Sequence, residues 1–206
     1  MLKDRLLFCV VGPSGAGKTS VTKDVVRELP NLWLSVSTTS RAIREGEVEG
    51  KDYFFVTKDD FVSKINKGDF LEHAEYGGNL YGTTKSSFEE KLNQGFDVLF
   101  DVEVQGVDQI KKLYGAQVVT IFIFPESFED LQKRLMYRGT ENQESLLKRM
   151  SIAKVEVNKL LEDGFSDYLL INKDKARCVR DLRSIIIAER KKMARISSDY
   201  LSKVFS

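Results

Sequence analysis

Apolar residues gather in four short runs, Leu6–Val11, Val98–Phe100, Val118–Phe124 and Tyr168–Ile171, each bounded by polar or Gly-containing segments. The runs are continuous rather than alternating, so both faces of each strand are expected to be covered, as in a parallel sheet. Helix-like stretches lie between them: Lys18–Leu29 after the first, Val107–Leu113 after the second, and Phe128–Met136 following Pro125 after the third. Strands alternating with helices predict an α/β fold with an open, doubly wound parallel sheet flanked by helices.

The stretch from about Ser35 to Gln94 breaks this rhythm. Its shorter segments, Tyr53-Phe54-Phe55-Val56 and Phe70 to Tyr76, are separated by turn signals at Gly46, Gly50 and Gly77-Gly78. This pattern predicts a small mixed α/β subdomain inserted into the sheet. A second insertion is expected over Arg134–Arg149, which is polar and Arg-rich with Gly139 as a hinge. From Lys175 onward, Val179, Leu182, Ile186, Met193 and Ile196 fall at helical spacing and predict a packing helix with a solvated charged face. The expected organisation is one domain over 1–206, with its core in 1–34, 98–133 and 150–206 and its insertions at 35–97 and 134–149.

Composition narrows the classes. With 206 residues, 42% hydrophobic and 31% charged, the chain can bury one sizeable core. A formal net charge of +1 creates no global field toward a nucleic-acid polymer or an acidic membrane, so polyanions must be met by local Arg and Lys. Cys9 and Cys178 are too far apart in sequence to suggest a disulfide framework or a metal site, and a reducing compartment fits. No run approaches the roughly 20 apolar residues of a membrane span, and Leu6–Val11 is too short for a signal peptide. A soluble, cytoplasmic protein is expected.

The candidate chemistry begins at Gly12-Pro13-Ser14-Gly15-Ala16-Gly17-Lys18-Thr19, which matches G-x-x-x-x-G-K-[ST] between an apolar strand and a helix. Glycines let successive N–H groups turn inward toward phosphate oxygens, and the following helix adds the partial positive charge of its N-terminus. Lys18 can reach the outer phosphates of a triphosphate, and the Thr19 hydroxyl can ligate Mg²⁺. Asp101, closing the run Val98-Leu99-Phe100, is the candidate second metal residue. A GTPase is excluded by two gaps. Asn172-Lys173-Asp174 has Lys175 where a guanine-reading Asp is needed, and Val104 stands where a switch glycine would follow Asp101.

The inserted region carries Ser37, Arg41, Arg44, Tyr53, Glu72, Tyr81 and Thr83. Two arginines with tyrosine hydroxyls suit a monophosphate dianion, because guanidinium forks give bidentate charge-assisted bonds. A carboxylate there would repel phosphate, so Glu72 is read as facing a base with adjacent N–H donors. Guanine offers N1–H and the N2 amine side by side, and Ser37 and Thr83 can donate to its O6.

These segments together resemble the guanylate kinase family over nearly the whole chain. The resemblance rests on the phosphate loop, Ser35-Val36-Ser37 through Arg41 and Arg44, Gly46 to Tyr53, Phe70-Leu71-Glu72, Gly78 to Thr83, Asp101 to Gly106, and Arg138-Gly139-Thr140. It implies Mg²⁺-dependent, in-line transfer of the γ-phosphoryl of ATP to GMP, with dGMP as a further acceptor and a place in purine nucleotide metabolism. It also implies a GMP-binding subdomain at 35–97 and a lid at 134–149 closing on the core. Arg134, Arg138 and Arg149 match the family's lid and post-lid arginines. Asn172 matches a residue near the ATP base. Glu103 stands where the family usually has Asp, on the acceptor side. Other departures are Ala42-Ile43 for a Pro-containing link, Leu80 for Tyr, His73 for Trp, and Thr19-Ser20 for Ser-Thr. His73 is read as a packing residue, because an acceptor phosphate already anionic at neutral pH needs no strong base. Two alternatives stay open: a guanylate-kinase-like binding module, and a kinase for another phosphorylated acceptor. The complete loop argues against the first, and Ser37, Glu72 and Thr83 against the second.

Overall fold

The computed structural model describes residues 5–137, 143–161 and 165–206. Its strands are β1 (Leu7–Val11), β2 (Leu32–Leu34), β3 (Thr38–Thr39), β4 (Phe54–Phe55), β5 (Phe70–Tyr76), β6 (Asn79–Thr84), β7 (Asp97–Asp101), β8 (Val118–Phe124) and β9 (Tyr168–Ile171). Its helices are α1 (Lys18–Glu28), α2 (Lys58–Asn66), α3 (Lys85–Asn93), α4 (Val104–Tyr114), α5 (Phe128–Tyr137), α6 (Gln143–Leu160), α7 (Lys175–Lys191) and α8 (Ser198–Phe205).

The four apolar runs become β1, β7, β8 and β9 of a five-stranded sheet ordered β2-β7-β1-β8-β9, every neighbouring pair parallel. All five residues of β1 are buried because the sheet is covered on both faces. Phe8 and Val10 pack with Val21 and Val25 of α1 and with Val179, Leu182 and Ile186 of α7. The alternate residues Leu7, Cys9 and Val11 pack with Phe88 of α3 and Val107 and Ile110 of α4. The fifth strand, β2, is absent from the sequence reading: Leu32-Trp33-Leu34 lies at the sheet edge and is too short to show a period.

Strand order reverses at β1, with β7 on one side and β8 on the other. Crossover connections leave in opposite directions there, so a crevice opens beyond the C-terminal ends of these strands. The Gly12–Thr19 loop fills that crevice.

The insertion forms a second sheet, ordered β4-β3-β6-β5. Its backbone is an antiparallel β5–β6 hairpin turned by Gly77 and Gly78, at φ 59° and 84°, a left-handed backbone that glycine adopts without strain. Only Phe54–Phe55 of the expected Tyr53–Val56 strand pair in the sheet, alongside β3. The C-terminal expectation also needs correcting. Val179, Leu182 and Ile186 are core residues of α7, but the backbone turns extended at Lys192, and Met193 is 67% exposed in a 3₁₀ turn. Arg134 lies in the last turn of α5 and Arg149 inside α6; Arg138, Gly139 and Thr140 lie outside the described residues.

Candidate active site

A cavity of about 610 Å³ lies between the two sheets, lined by the phosphate loop from one side and by the insertion from the other. The loop is tied down at close quarters. A Cβ at Gly12, where φ is 137°, would stand 2.1 Å from the Ile123 carbonyl oxygen of β8. One at Gly17 would stand 2.4 Å from Asn172 Nδ2. Asn172 is itself buried, and its Nδ2 donates to the Ala16 carbonyl at 2.7 Å. The residue expected near the ATP base therefore props the loop from behind.

Lys18 Nζ donates to the Gly12 carbonyl at 2.5 Å and lies 3.8 Å from Asp101 Oδ1. The Thr19 hydroxyl donates to Asp101 Oδ2 at 2.6 Å. Parallel pairing of Val10 with Asp101 brings the end of β7 beside the start of the loop. α6 reaches over the loop, with Arg149 Nη1 donating to Ser14 Oγ at 2.8 Å. Arg134 Nη2 donates to the Asn172 carbonyl at 2.7 Å and lies 3.6 Å from Asp130.

On the opposite wall, Arg41 is already occupied. Its guanidinium donates to both Glu47 oxygens at 3.0 and 2.8 Å and lies 5.3 Å from the Tyr53 ring centroid. Glu47 Oε2 also accepts from the Arg44 backbone N–H at 2.8 Å, while the exposed Arg44 side chain lines the cavity. Tyr53 and Tyr81 meet edge to face at 6.1 Å between centroids, and burial pushes the Tyr53 phenol up. Ser37 lines the cavity beside them.

Glu72 reaches this cavity although it is only 3% exposed. Its Oε1 accepts from the Thr83 backbone N–H at 2.8 Å. Burial, with the nearby Glu103 charge acting the same way, pushes its pKa up to about 7, against the lowering effect of its bonds with Thr83. Thr83 itself is fully buried, with its hydroxyl 3.4 Å from Ser35 Oγ. Thr83 pairs with Glu72 across the hairpin, on the same face of β6 as Tyr81, and its side chain also bonds the Glu72 carboxyl. His73 is half-buried beside Glu72, its ring 6.1 Å from that of Phe70.

Glu103 precedes the first residue of α4 and is hydrogen-bonded to Glu156 of α6. Burial raises both carboxyls, that of Glu156 to about 8 with the Glu103 charge adding to the effect. Glu47 and Glu156 are residues to which the sequence reading assigns no role. The signal for Glu156 is a glutamate on the same helix face as the buried Ala153. For Glu47 no local pattern distinguishes it from the neighbouring Glu45 and Glu49.

Comparison with known proteins agrees with this geometry. The guanylate kinase family model matches residues 4–189. A guanylate kinase of Thermotoga maritima is 43% identical over 189 residues, covering 92% of this chain and 89% of its own. One of Clostridium tetani is 42% identical over 196 residues, covering 95% and 92%. The crystal structure of guanylate kinase from Anaplasma phagocytophilum superposes with a TM-score of 0.76 at 30% identity, covering 94% of this chain and 91% of that one. A loop built for phosphates faces a buried carboxylate across one cavity, and the match runs nearly end to end: the chain belongs to the guanylate kinase family.

Proposed function

We propose that this chain transfers the γ-phosphoryl group of ATP to GMP, with ADP and GDP as products. The observation that carries this reading is the shared cavity, with the Gly12–Thr19 loop on one wall and the buried Glu72 carboxylate on the other. A carboxylate held through Thr83 keeps lone pairs for N1–H and the N2 amine of guanine. Adenine would present an acceptor at N1 instead, and sites built on such pairing reject the wrong partner by about 10⁴-fold.

In this reading Ser37 donates to the base, and Arg41, Arg44, Tyr53 and Tyr81 hold the acceptor phosphate. Thr83 holds Glu72, and Glu47 holds Arg41. Gly12 to Thr19 wrap the donor phosphates with backbone N–H groups, with Asn172 beneath. An oxygen of the GMP phosphate attacks the γ-phosphorus in line. The bond to the β–γ bridging oxygen breaks, and ADP leaves with that electron pair. Lys18 neutralises charge on the transferring group together with Arg134, Arg138 and Arg149. No general base is required, since the attacking oxygen is already anionic.

The Thr19 hydroxyl and Asp101 carboxylate, 2.6 Å apart, form an all-oxygen donor pair suited to Mg²⁺, which takes its remaining ligands from water and phosphate. No group of three or more His, Cys, Asp or Glu that could hold a metal occurs among the described residues. When bound, Mg²⁺ would supply charge neutralisation on the phosphate oxygens. Glu103 borders this region from the acceptor side.

The test is ADP release from Mg-ATP with GMP, AMP, CMP or UMP as acceptor. Turnover with GMP and near-background rates with the others are expected. No GMP-dependent release would overturn the activity, and equal use of AMP would overturn the role of Glu72.

A further inference from the structure

The base-reading carboxylate is confined on two sides. Thr83 N–H takes Oε1 at 2.8 Å. On the other side stands Gly106, buried in the first turn of α4, where an added Cβ would lie 2.5 Å from Glu72 Oε2 and 3.2 Å from its Cδ. The backbone does not demand glycine here: Gly106 is not among the positive-φ residues, and its N–H makes an ordinary turn bond to the Glu103 carbonyl at 2.9 Å. A helix interior would also favour Ala over Gly. What excludes a side chain is the carboxylate.

α4 is not free to retreat. Gln109, one turn further along, bonds both backbone groups of the next β5 residue: the His73 N–H donates to Gln109 Oε1 at 3.1 Å, and Gln109 Nε2 donates to the His73 carbonyl at 2.7 Å. On the far side, a Cβ at Gly82 would lie 2.7 Å from the Glu72 carbonyl oxygen, so β6 also packs directly on this strand. A methyl group at position 106 would therefore displace the end of the Glu72 side chain, the group nearest to it.

Resting on the guanine reading above, we infer that Gly106 is a specificity-determining positioning residue: by lacking a side chain it fixes where Glu72 Oε2 stands, and with it the contact to the guanine N2 amine. Gly106→Ala should leave the fold intact and move the carboxylate off its bidentate position. IMP is the suitable probe, because it keeps the phosphate, ribose, O6 and N1–H of GMP but lacks the N2 amine.

The experiment measures kcat/KM for GMP and IMP in wild-type protein and Gly106→Ala, each also combined with Glu72→Gln. In Gly106→Ala the GMP:IMP ratio should fall about tenfold or more, mainly through KM for GMP, as expected for one lost charge-assisted bond. On the Glu72→Gln background the same change should leave the ratio where it is. A ratio unmoved by Gly106→Ala overturns the inference, as does an equal drop on the Glu72→Gln background, since either outcome means the effect does not pass through Glu72. If Gly106→Ala melts early, adding Glu72→Asp should restore Tm, because a carboxyl one methylene shorter clears the new methyl; an unrestored Tm overturns the inference. Wild-type protein without GMP turnover would instead sink the activity itself, so the two failures are distinguishable.

Discussion

The role proposed for Glu72 carries a cost in stability. Its carboxyl is buried with Glu103 nearby, and its pKa stands at about 7 in the folded chain against an ordinary 4.5. Because the folded value is the higher one, the contribution of Glu72 to stability is fully present below about pH 4.5 and is lost as pH rises through about 7, where the unfolded chain has already released its proton. The shift corresponds to roughly 3 kcal/mol. Glu72→Gln keeps an acceptor for the Thr83 N–H without the charge, so at pH 8 it should melt several degrees above wild type and at pH 4.5 beside it. Thermal melts at both values check this; equal melting points at pH 8 would contradict it. The same variant should lose about 10³-fold or more in kcat/KM for GMP. GMP affinity should also improve through about pH 7 in wild type more steeply than in Glu72→Gln, where that carboxyl no longer titrates. Lys18 gives the complementary case. Lys18→Ala should abolish turnover while GMP binding, measured by calorimetry, stays within a few-fold, because the amine sits on the donor wall. A comparable loss of GMP affinity would contradict two separate sites.

At the scale of elements, the sheet and its last long helix are joined by a buried ion pair. Asp97 begins β7, its Oδ1 accepting from the Leu6 N–H at 2.8 Å and its Oδ2 from Arg190 Nε at 2.7 Å. Arg190, near the end of α7, also donates to the Pro30 and Asn31 carbonyls just before β2. One carboxylate thus binds β1, β7, the β2 edge and α7 at the end of the sheet opposite the site. Asp97→Ala would leave a half-buried guanidinium and a buried N–H without their acceptor. The expected loss is about 3–5 kcal/mol in urea unfolding, with kcat per folded molecule retained. A variant as stable as wild type would show that the pair is replaceable. The adjacent Glu189 is a second such tie, buried and accepting from Tyr168 Oη at 2.5 Å and Arg195 at 2.8 Å.

At the scale of the whole molecule, the site exists only where two sheets meet. Lys23 of α1 contacts Asp52 of the insertion, and Arg149 of α6 rests on Ser14, so three segments of the chain already converge on the cavity. A ligand bridging these walls should stabilise the chain by mass action: about 2.7 kcal/mol at a hundredfold excess over Kd, or a Tm rise of about 5–10 °C. GMP should produce that rise and AMP at equal concentration should not; differential scanning fluorimetry decides it. The phosphate loop, four of the five core strands and the helices after them were legible in the sequence, because glycine spacing and apolar periodicity are local properties of a chain. β2 was not, having three residues and no period to display. Nor were the pairing of Arg41 with Glu47, the bonds between Thr83 and Glu72, the propping of the loop by Asn172, or the contact between Glu103 and Glu156. Each of these depends on which face of an element is covered and on what a distant segment brings against it, and only tertiary packing sets both. The sequence by itself determined the glycine-rich loop and the Arg, Tyr and Glu residues proposed to meet a phosphate and a base. The tertiary structure decided which side chains face the cavity and which hold the others in place, since burial and long-range contact have no signature in any single stretch of chain.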